Sequence, residues 1–441
     1  MSIFKAYDIR GVYPNELNEE IAERLGKAVG TFLKEKTVCV GYDTRNSSPS
    51  IFDFFSKGLA STGCNVFAIG LIPNPVNYFY AWKKGIYGCY VTASHNSSEW
   101  NGMKFSNPDG TSFIDEIKEI ERIYNSQNFI KGEGKIENVN NAMEIYEEFL
   151  KANIKNQKGK VVIECFGGAG VKAIEILRNL GLDVISLHDK PDGNFYGVER
   201  PEPKGENLQF LINEIKAKSV DFGVAFDGDG DRAVFVDEKG RELNGSMMIP
   251  IFVRDILKSR KGTIIVTADC ASEIKKIVED HGGRLIWWRV GHGFIEKKSQ
   301  EEKTLFSGEH SSHFYFSYLY PFSDGILSVL YLAKILNKSE KKLSNLVDEI
   351  KMHPVDKLYI NVGNDENKNR ILGEIKKKFP ESLDIMDGVK IELNDIEWVL
   401  LRASQTNPEI NLCVEAINEK RLRELIEEYS NLIKDLREKL G

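Results

Sequence analysis

The sequence predicts an α/β protein, with three topologically similar α/β domains followed by a smaller C-terminal α+β domain around a central cleft. Three observations predict it. A strand–turn–helix–strand pattern occurs three times, roughly 100 residues apart. The C-terminal stretch breaks that pattern. A chain of 441 residues also exceeds what one hydrophobic core supports.

The first unit runs from TVCVGYDTR through a helical stretch to Gly63 and NVFAIG. The second runs from KVVIECFGGAG through VKAIEILRNL to Gly181 and LDVISLH. The third runs from GTIIVTADC through ASEIKKIVEDH to Gly282, Gly283 and RLIWWRV. Each pairs buried strands across a helix stopped by glycine, which requires a parallel sheet covered on both faces. In the tail, DIMDGVKIEL, DIEWVLLRAS and INLCVEA read as strands, the first broken by an Asp-Gly turn. The terminal helix carries the apolar set Leu422, Leu425, Ile426, Tyr429, Leu432 and Ile433. The expected domains are residues 1–150, 151–247, 248–355 and 356–441, with loops meeting across the junctions to enclose a cleft.

Composition excludes several classes. The chain is 41% hydrophobic and 28% charged, with a net charge of -7 that argues against nonspecific nucleic-acid binding but allows a local basic pocket. No apolar run approaches the ~18 residues of a membrane span. The opening MSIFKAYDIR has no apolar segment of the secretory kind, and the six cysteines form no CxxC pair. A reducing, cytoplasmic setting without disulfides or a zinc cluster is the expectation.

Five segments could carry chemistry. TASHNSSEWNGMKF (92–105) places Ser94, His95 and Asn96 together, with Gly102 and Lys104 following, and reads equally as a nucleophile or a polar loop. FGVAFDGDGDRAVFVD sets Asp227, Asp229 and Asp231 at alternate positions between strands. Gly228 and Gly230 allow a turn tight enough for the three to converge on Mg²⁺. An EF-hand fails, because Arg232 occupies the position that needs glycine and the flanks are strands; Arg232 is instead placed to meet a phosphate. CFGGAGVKA contains G-x-G-x-x-A, with Asp189 downstream, yet a tight strand-to-helix turn explains it without a dinucleotide. SGEHSSHFYF offers Glu309, Ser311 and His313 on one side if extended, suited to vicinal sugar hydroxyls, and VGHGF adds His292. RASQTNPE supplies Arg402, Ser404, Gln405 and Thr406, a set able to enclose a phosphate dianion.

Four of these, in this order, resemble the α-D-phosphohexomutase family, the phosphomannomutases and phosphoglucomutases. TASHNSSEWNGMKF is similar to the family's phosphoserine loop, DGDGDR to its metal loop, GEHSSH to its sugar loop and RASQTNPE to its phosphate loop. YDIRGVYP, VGYDTRNSS and DGNFYGVERPEPKGENL match further landmarks, so the resemblance covers nearly the whole chain. It implies four domains around a deep cleft and a phosphorylated Ser94. One Mg²⁺ would be held by Asp227, Asp229, Asp231 and a phosphoserine oxygen of Ser94. A hexose 1,6-bisphosphate would be the intermediate and activator as a hexose 1-phosphate and 6-phosphate interconvert. Arg10 and Lys104 resemble residues near the phosphoserine, with Lys104 or His95 shuttling a proton; Arg232 and His292 resemble phosphate or proton-transfer neighbours. Glu309 and Ser311 would read the sugar, and Arg402 to Thr406 the distal phosphate.

Departures bear on the substrate. Ser312 stands where the family commonly has glycine, Gln405 where asparagine is usual, Asn407 where many members carry glutamate, and Tyr42 where an arginine is common. GEHSSH and RASQT are closer to the phosphomannomutase/phosphoglucomutase type than to phosphoglucosamine mutases, which tend to GEQSGH and RPSGTEP. Mannose and glucose phosphates are therefore the expected substrates, with phosphoglucosamine as the alternative. A phosphoserine-using metal-dependent sugar phosphatase is the rival enzyme class, and a silent sugar-phosphate binder the non-enzyme one. The expected partners are small sugar phosphates, with no nucleic acid and no membrane, in a monomer or homodimer.

Overall fold

The computed structural model describes residues 2–155, 157–385, 387–404 and 408–440. Four sheets follow one another along the chain. The first places Asp8–Val12, Trp100–Ser106, Tyr87–Val91, Thr37–Tyr42, Asn65–Leu71 and Ile136–Asn138 side by side. Thr37–Tyr42 runs parallel to both Asn65–Leu71 and Tyr87–Val91, whereas Trp100–Ser106 is antiparallel to its two neighbours. The second sheet pairs Lys160–Glu164 in parallel with Asp183–Leu187 and with Phe222–Phe226, and Phe222–Phe226 turns back antiparallel into Ala233–Asp237. The third pairs Thr263–Thr267 in parallel with Arg284–Trp288 and Phe306–Gly308. Each of the three sequence repeats thus forms its expected parallel crossover.

The tail forms a wholly antiparallel sheet in the order Val355–Asn361, Glu409–Glu415, Trp398–Ala403, Gly388–Glu392 and Leu383–Asp384. The helix Glu419–Leu440 covers it through Leu422, Leu425, Tyr429 and Ile433. A single apolar cluster runs from Cys39 in the first unit to Ile350 in the third, while the tail keeps a core of its own. Among the described residues, a small apolar cluster of Ala268, Ile385, Trp398, Leu400 and Cys413 joins the third sheet to the fourth. The first three units are therefore welded together, and the fourth sits on a narrower contact.

All six cysteines are buried and unpaired, as small apolar residues. No helix among the described residues is long and apolar enough to cross a membrane.

Candidate active site

Ser94 lies in the turn between Tyr87–Val91 and Trp100–Ser106, at the C-terminal end of a central strand. Its backbone is left-handed, with φ of 51°, a conformation that costs a residue with a Cβ about 1–2 kcal/mol. Arg45 maintains it. The fully buried guanidinium donates to the carbonyls of Ser94 and Asn96 at 2.7 Å each, of Ser97 at 2.5 Å and of Trp100 at 2.9 Å. Asp43 orients Arg45 at 3.0 Å and also accepts from Thr92 Oγ1 at 2.7 Å, and Thr92 Oγ1 receives the Ser94 N–H at 2.8 Å. Asp43 and Arg45 were not among the residues singled out in the sequence; the YDTR stretch carried the signal.

The hairpin between Phe222–Phe226 and Ala233–Asp237 brings the carboxylates in. Gly228 is required by proximity, because a Cβ there would lie 2.4 Å from the Ser94 carbonyl. Gly230 is required by its φ of 79°. Asp227, Asp229 and Asp231 are 0%, 0% and 3% exposed, and one oxygen of each lies within 4.8 Å of the others. Ser94 Oγ donates to Asp227 Oδ2 at 2.9 Å, so the hydroxyl joins the cluster. Glu238, the residue an EF-hand would need, instead accepts from the Ser344 N–H at 3.2 Å, remote from the loop.

Charge balances the cluster. Lys104 Nζ donates to Asp229 Oδ2 and Asp231 Oδ2 at 2.7 Å each. Burial works against the Lys104 ammonium, but Asp229 and Asp231 outweigh it and hold its pKa above the ordinary value. Asp227 is pushed well up by burial and then by Asp229 and Asp231. Burial also disfavours the Asp231 anion, yet Lys104 and His313 hold it well below the usual range. Asp229 Oδ1 and Asp231 Oδ1 are buried with no hydrogen-bond partner among the described residues. Three convergent carboxylates, two with a free oxygen, are the hard-oxygen set that suits a divalent cation.

Arg232 crosses this centre. Its Nη2 donates to His95 Nδ1 at 3.0 Å, its Nε to His313 Nε2 at 3.3 Å, and its backbone N–H to Asp227 Oδ1 at 3.2 Å. His95 stands 3.4 Å from Ser94 Oγ, and burial, followed by Arg232, Arg10 and Lys104, holds its pKa well below the ordinary value. Arg10 is held by Asp8 at 2.9 Å and lies within the field of Asp229. His292 packs edge-on against Tyr7 at 4.6 Å and lies 6.2 Å from the His313 ring, with its buried Nε2 unpartnered among the described residues. Tyr7 was not singled out either; it sits in the YDIRG landmark.

The sugar loop departs from expectation. Residues 309–313 are not extended with alternating side chains. They form a tight turn in which the Ser312 N–H donates to the Glu309 carbonyl at 3.0 Å, with Ser312 at φ of 68°. The short Phe306–Gly308 and Phe314–Tyr315 strands pair back on each other and force the reversal. The turn still gathers the three residues. His313 Nδ1 is 3.0 Å from Ser311 Oγ and 3.4 Å from Glu309 Oε1, while Glu309 accepts from Tyr315 Oη at 2.6 Å and from the Gly291 N–H at 3.3 Å.

On the fourth sheet, Arg402 is the penultimate residue of Trp398–Ala403 and donates to Asp387 Oδ2 through Nε at 3.2 Å and Nη2 at 2.7 Å. The Ser404 N–H donates to the Glu409 carbonyl at 2.9 Å. Gln405 and Thr406 lie outside the described residues. Arg289 of the third unit lies within the electrostatic field of both Asp387 and Arg402 of the fourth. The G-x-G-x-x-A turn packs on the aspartate loop, with the Ala169 N–H donating to the Gly228 carbonyl at 2.9 Å, and so is a structural turn.

Comparison with known proteins matches this architecture. Models described as phosphoglucomutase/phosphomannomutase, alpha/beta/alpha domains I, II and III, match residues 1–131, 141–240 and 244–353. A phosphomannomutase of Methanocaldococcus jannaschii is 36% identical over 99% of this chain and 98% of its own. A phosphomannomutase/phosphoglucomutase of Pseudomonas putida is 34% identical over 96% and 94%. A relative from Methanopyrus kandleri, described as a probable phosphoglucosamine mutase, is 33% identical over 98% and 97%. The crystal structure of a phosphoglucomutase/phosphomannomutase family protein from Burkholderia thailandensis superposes with a TM-score of 0.91 at 29% identity, covering 99% of this chain and 97% of that one.

Proposed function

Because the chain belongs to the phosphoglucomutase/phosphomannomutase family and is an isomerase of the phosphohexomutase type, we propose that it interconverts the 1- and 6-phosphates of mannose and glucose, with Ser94 as the phosphoryl carrier. The observation that carries the reading is the hydrogen bond from Ser94 Oγ to Asp227 inside the three-carboxylate cluster.

Ser94 in its phosphorylated form gives the phosphoryl group to a free hydroxyl of the bound hexose monophosphate. The Oγ–P bond breaks, a bond from phosphorus to the sugar oxygen forms, the sugar hydroxyl gives up its proton, and the released Ser94 Oγ takes one up. A hexose 1,6-bisphosphate results; after it turns over in the cleft, Ser94 takes back the other phosphate. Asp227, Asp229, Asp231 and a phosphoserine oxygen would hold one Mg²⁺, which supplies neutralisation of the charge on the transferring group. Arg10, Lys104 and Arg232 add fixed positive charge beside the same oxygen atoms. His95, kept neutral, and His292, with an open Nε2, are the groups placed to accept the hydroxyl proton. Glu309, Ser311 and His313 form the polar surface for the sugar hydroxyls. Arg402 and Ser404, with Gln405 and Thr406, would receive the distal phosphate, and Arg289, within the field of Arg402 and Asp387, would add positive charge there. Asp387 then yields Arg402 to the incoming dianion.

The resemblance to a probable phosphoglucosamine mutase over nearly the same length keeps glucosamine phosphate as the second substrate reading. Assaying mannose, glucose and glucosamine 1-phosphates side by side, with Mg²⁺ and a trace of hexose bisphosphate, decides between them. Turnover of the first two, well above the third, is the expected result. Preferential turnover of glucosamine 1-phosphate favours the second reading, and release of inorganic phosphate without isomerisation favours a phosphatase.

A further inference from the structure

Asn74 opens the helix Asn74–Lys84 of the first unit and is 2% exposed, yet its polar atoms face the aspartate loop of the second unit. Its backbone N–H donates to the Asp229 carbonyl at 2.9 Å, and its Nδ2 to Asp231 Oδ2 at 3.0 Å. Lys104 Nζ takes the same Asp231 oxygen and Asp229 Oδ2. Both Oδ2 atoms are therefore committed to donors. Asp229 Oδ1 and Asp231 Oδ1 are buried without hydrogen bonds among the described residues, and His313 Nε2 stands 3.3 Å from Asp231 Oδ1.

We propose that Asn74 is a positioning residue for the cation site, fixing the loop and the Asp231 carboxylate so that the uncommitted oxygens remain for a divalent ion. The inference rests on reading the three aspartates as that site. Lys104 cannot fill this role alone: its ammonium carries the same sign as the ion and competes for the same carboxylates. A neutral amide donor orients Asp231 without that repulsion, as ligand-orienting partners in metal sites do. Asn74 Oδ1 is itself buried with no hydrogen-bond partner among the described residues, which leaves an acceptor beside the loop of the kind a hydrated cation uses. The prolines on either side, Pro73 and Pro75, restrict the backbone that carries this amide.

The test is Mg²⁺ titration calorimetry on the full chain, with melting of the metal-free proteins in parallel. Asn74→Ala keeps the backbone donor to Asp229 and removes only the side-chain one. It is expected to weaken Mg²⁺ by about 10–100-fold, with a metal-free melting temperature near that of the unsubstituted protein. Asn74→Ser, which retains a donor, should fall nearer the unsubstituted protein than Asn74→Ala does. Unchanged affinity in Asn74→Ala, while Asp231→Asn fails to bind, overturns this inference and leaves the cation site standing. A loss in Asn74→Ala that Asn74→Ser fully shares, with both melting early, also overturns it by marking Asn74 as domain-boundary packing. Absence of Mg²⁺ binding by the unsubstituted protein overturns the cation reading and the inference together.

Discussion

Arg45 governs the serine loop without reaching the reacting atoms. Four backbone carbonyls converge on one guanidinium, and that convergence holds Ser94 in its left-handed conformation 2.9 Å from Asp227. A lysine keeps the charge but lacks the planar fork, so it satisfies at most part of this set. Arg45→Lys is expected to lower kcat for the mutase reaction by about 10–100-fold through misplacement of Ser94, with circular dichroism showing the fold retained. Ordinary kcat in that variant would remove Arg45 from the account. Residue chemistry was partly legible in the sequence. The aspartates stood out because three carboxylates are rare between such apolar strands, and Ser94 stood out through the company of the other motifs, since its own stretch reads equally as a polar loop. Arg45 and Asp43 did not, since a buried arginine is recognised by what it touches across the fold.

At the scale of elements, the parallel crossovers were legible because apolar runs, glycine stops and helical periodicity recur within about 30 residues of each other. The 309–313 turn was not. Period-two spacing of Glu309, Ser311 and His313 reads as a strand, but the Phe314–Tyr315 strand folds back on Phe306–Gly308 and leaves no room for extended chain. Ser312 bears the cost, with φ of 68° and a buried hydroxyl that has no hydrogen-bond partner among the described residues. Ser312→Gly relieves both the left-handed strain and the unsatisfied hydroxyl, against the extra entropy of glycine in the unfolded chain. The net expectation is stabilisation by about 1 kcal/mol, read as a higher melting temperature. A lower one would show that the Ser312 side chain contributes packing that outweighs its strain.

The whole molecule depends on contacts between units that no local pattern encodes, and one of them predicts a pH dependence. Lys390 of the fourth sheet is fully buried at the third–fourth boundary, with its Nζ 3.4 Å from the Trp287 ring centroid and 4.4 Å from that of Trp398. Burial lowers its pKa from 10.5 to about 8, partly opposed by Glu392 and other acidic groups. A lysine that is harder to protonate when folded costs stability wherever both states carry the charge, below pH about 8. The cost fades as pH rises toward the unfolded value and is gone above it. Lys390→Met should therefore raise stability at pH 7 by about 1–3 kcal/mol, the ring contacts offsetting part of the desolvation. The advantage should shrink between pH 8 and 10.5, measured as the difference in denaturant unfolding free energy. An advantage independent of pH would show that Lys390 titrates normally. The same dependence between units underlies the catalytic account, since Ser94 belongs to the first unit, Asp227 to the second and Glu309 to the third. The most direct test is to incubate the protein with glucose 1,6-bisphosphate and map phosphate by mass spectrometry, beside Ser94→Ala. Phosphate on the peptide containing Ser94, with a loss of at least about 1,000-fold in mutase activity in the variant, is the expected result. Phosphate on Ser97 or Ser98, or undiminished turnover by Ser94→Ala, would contradict it.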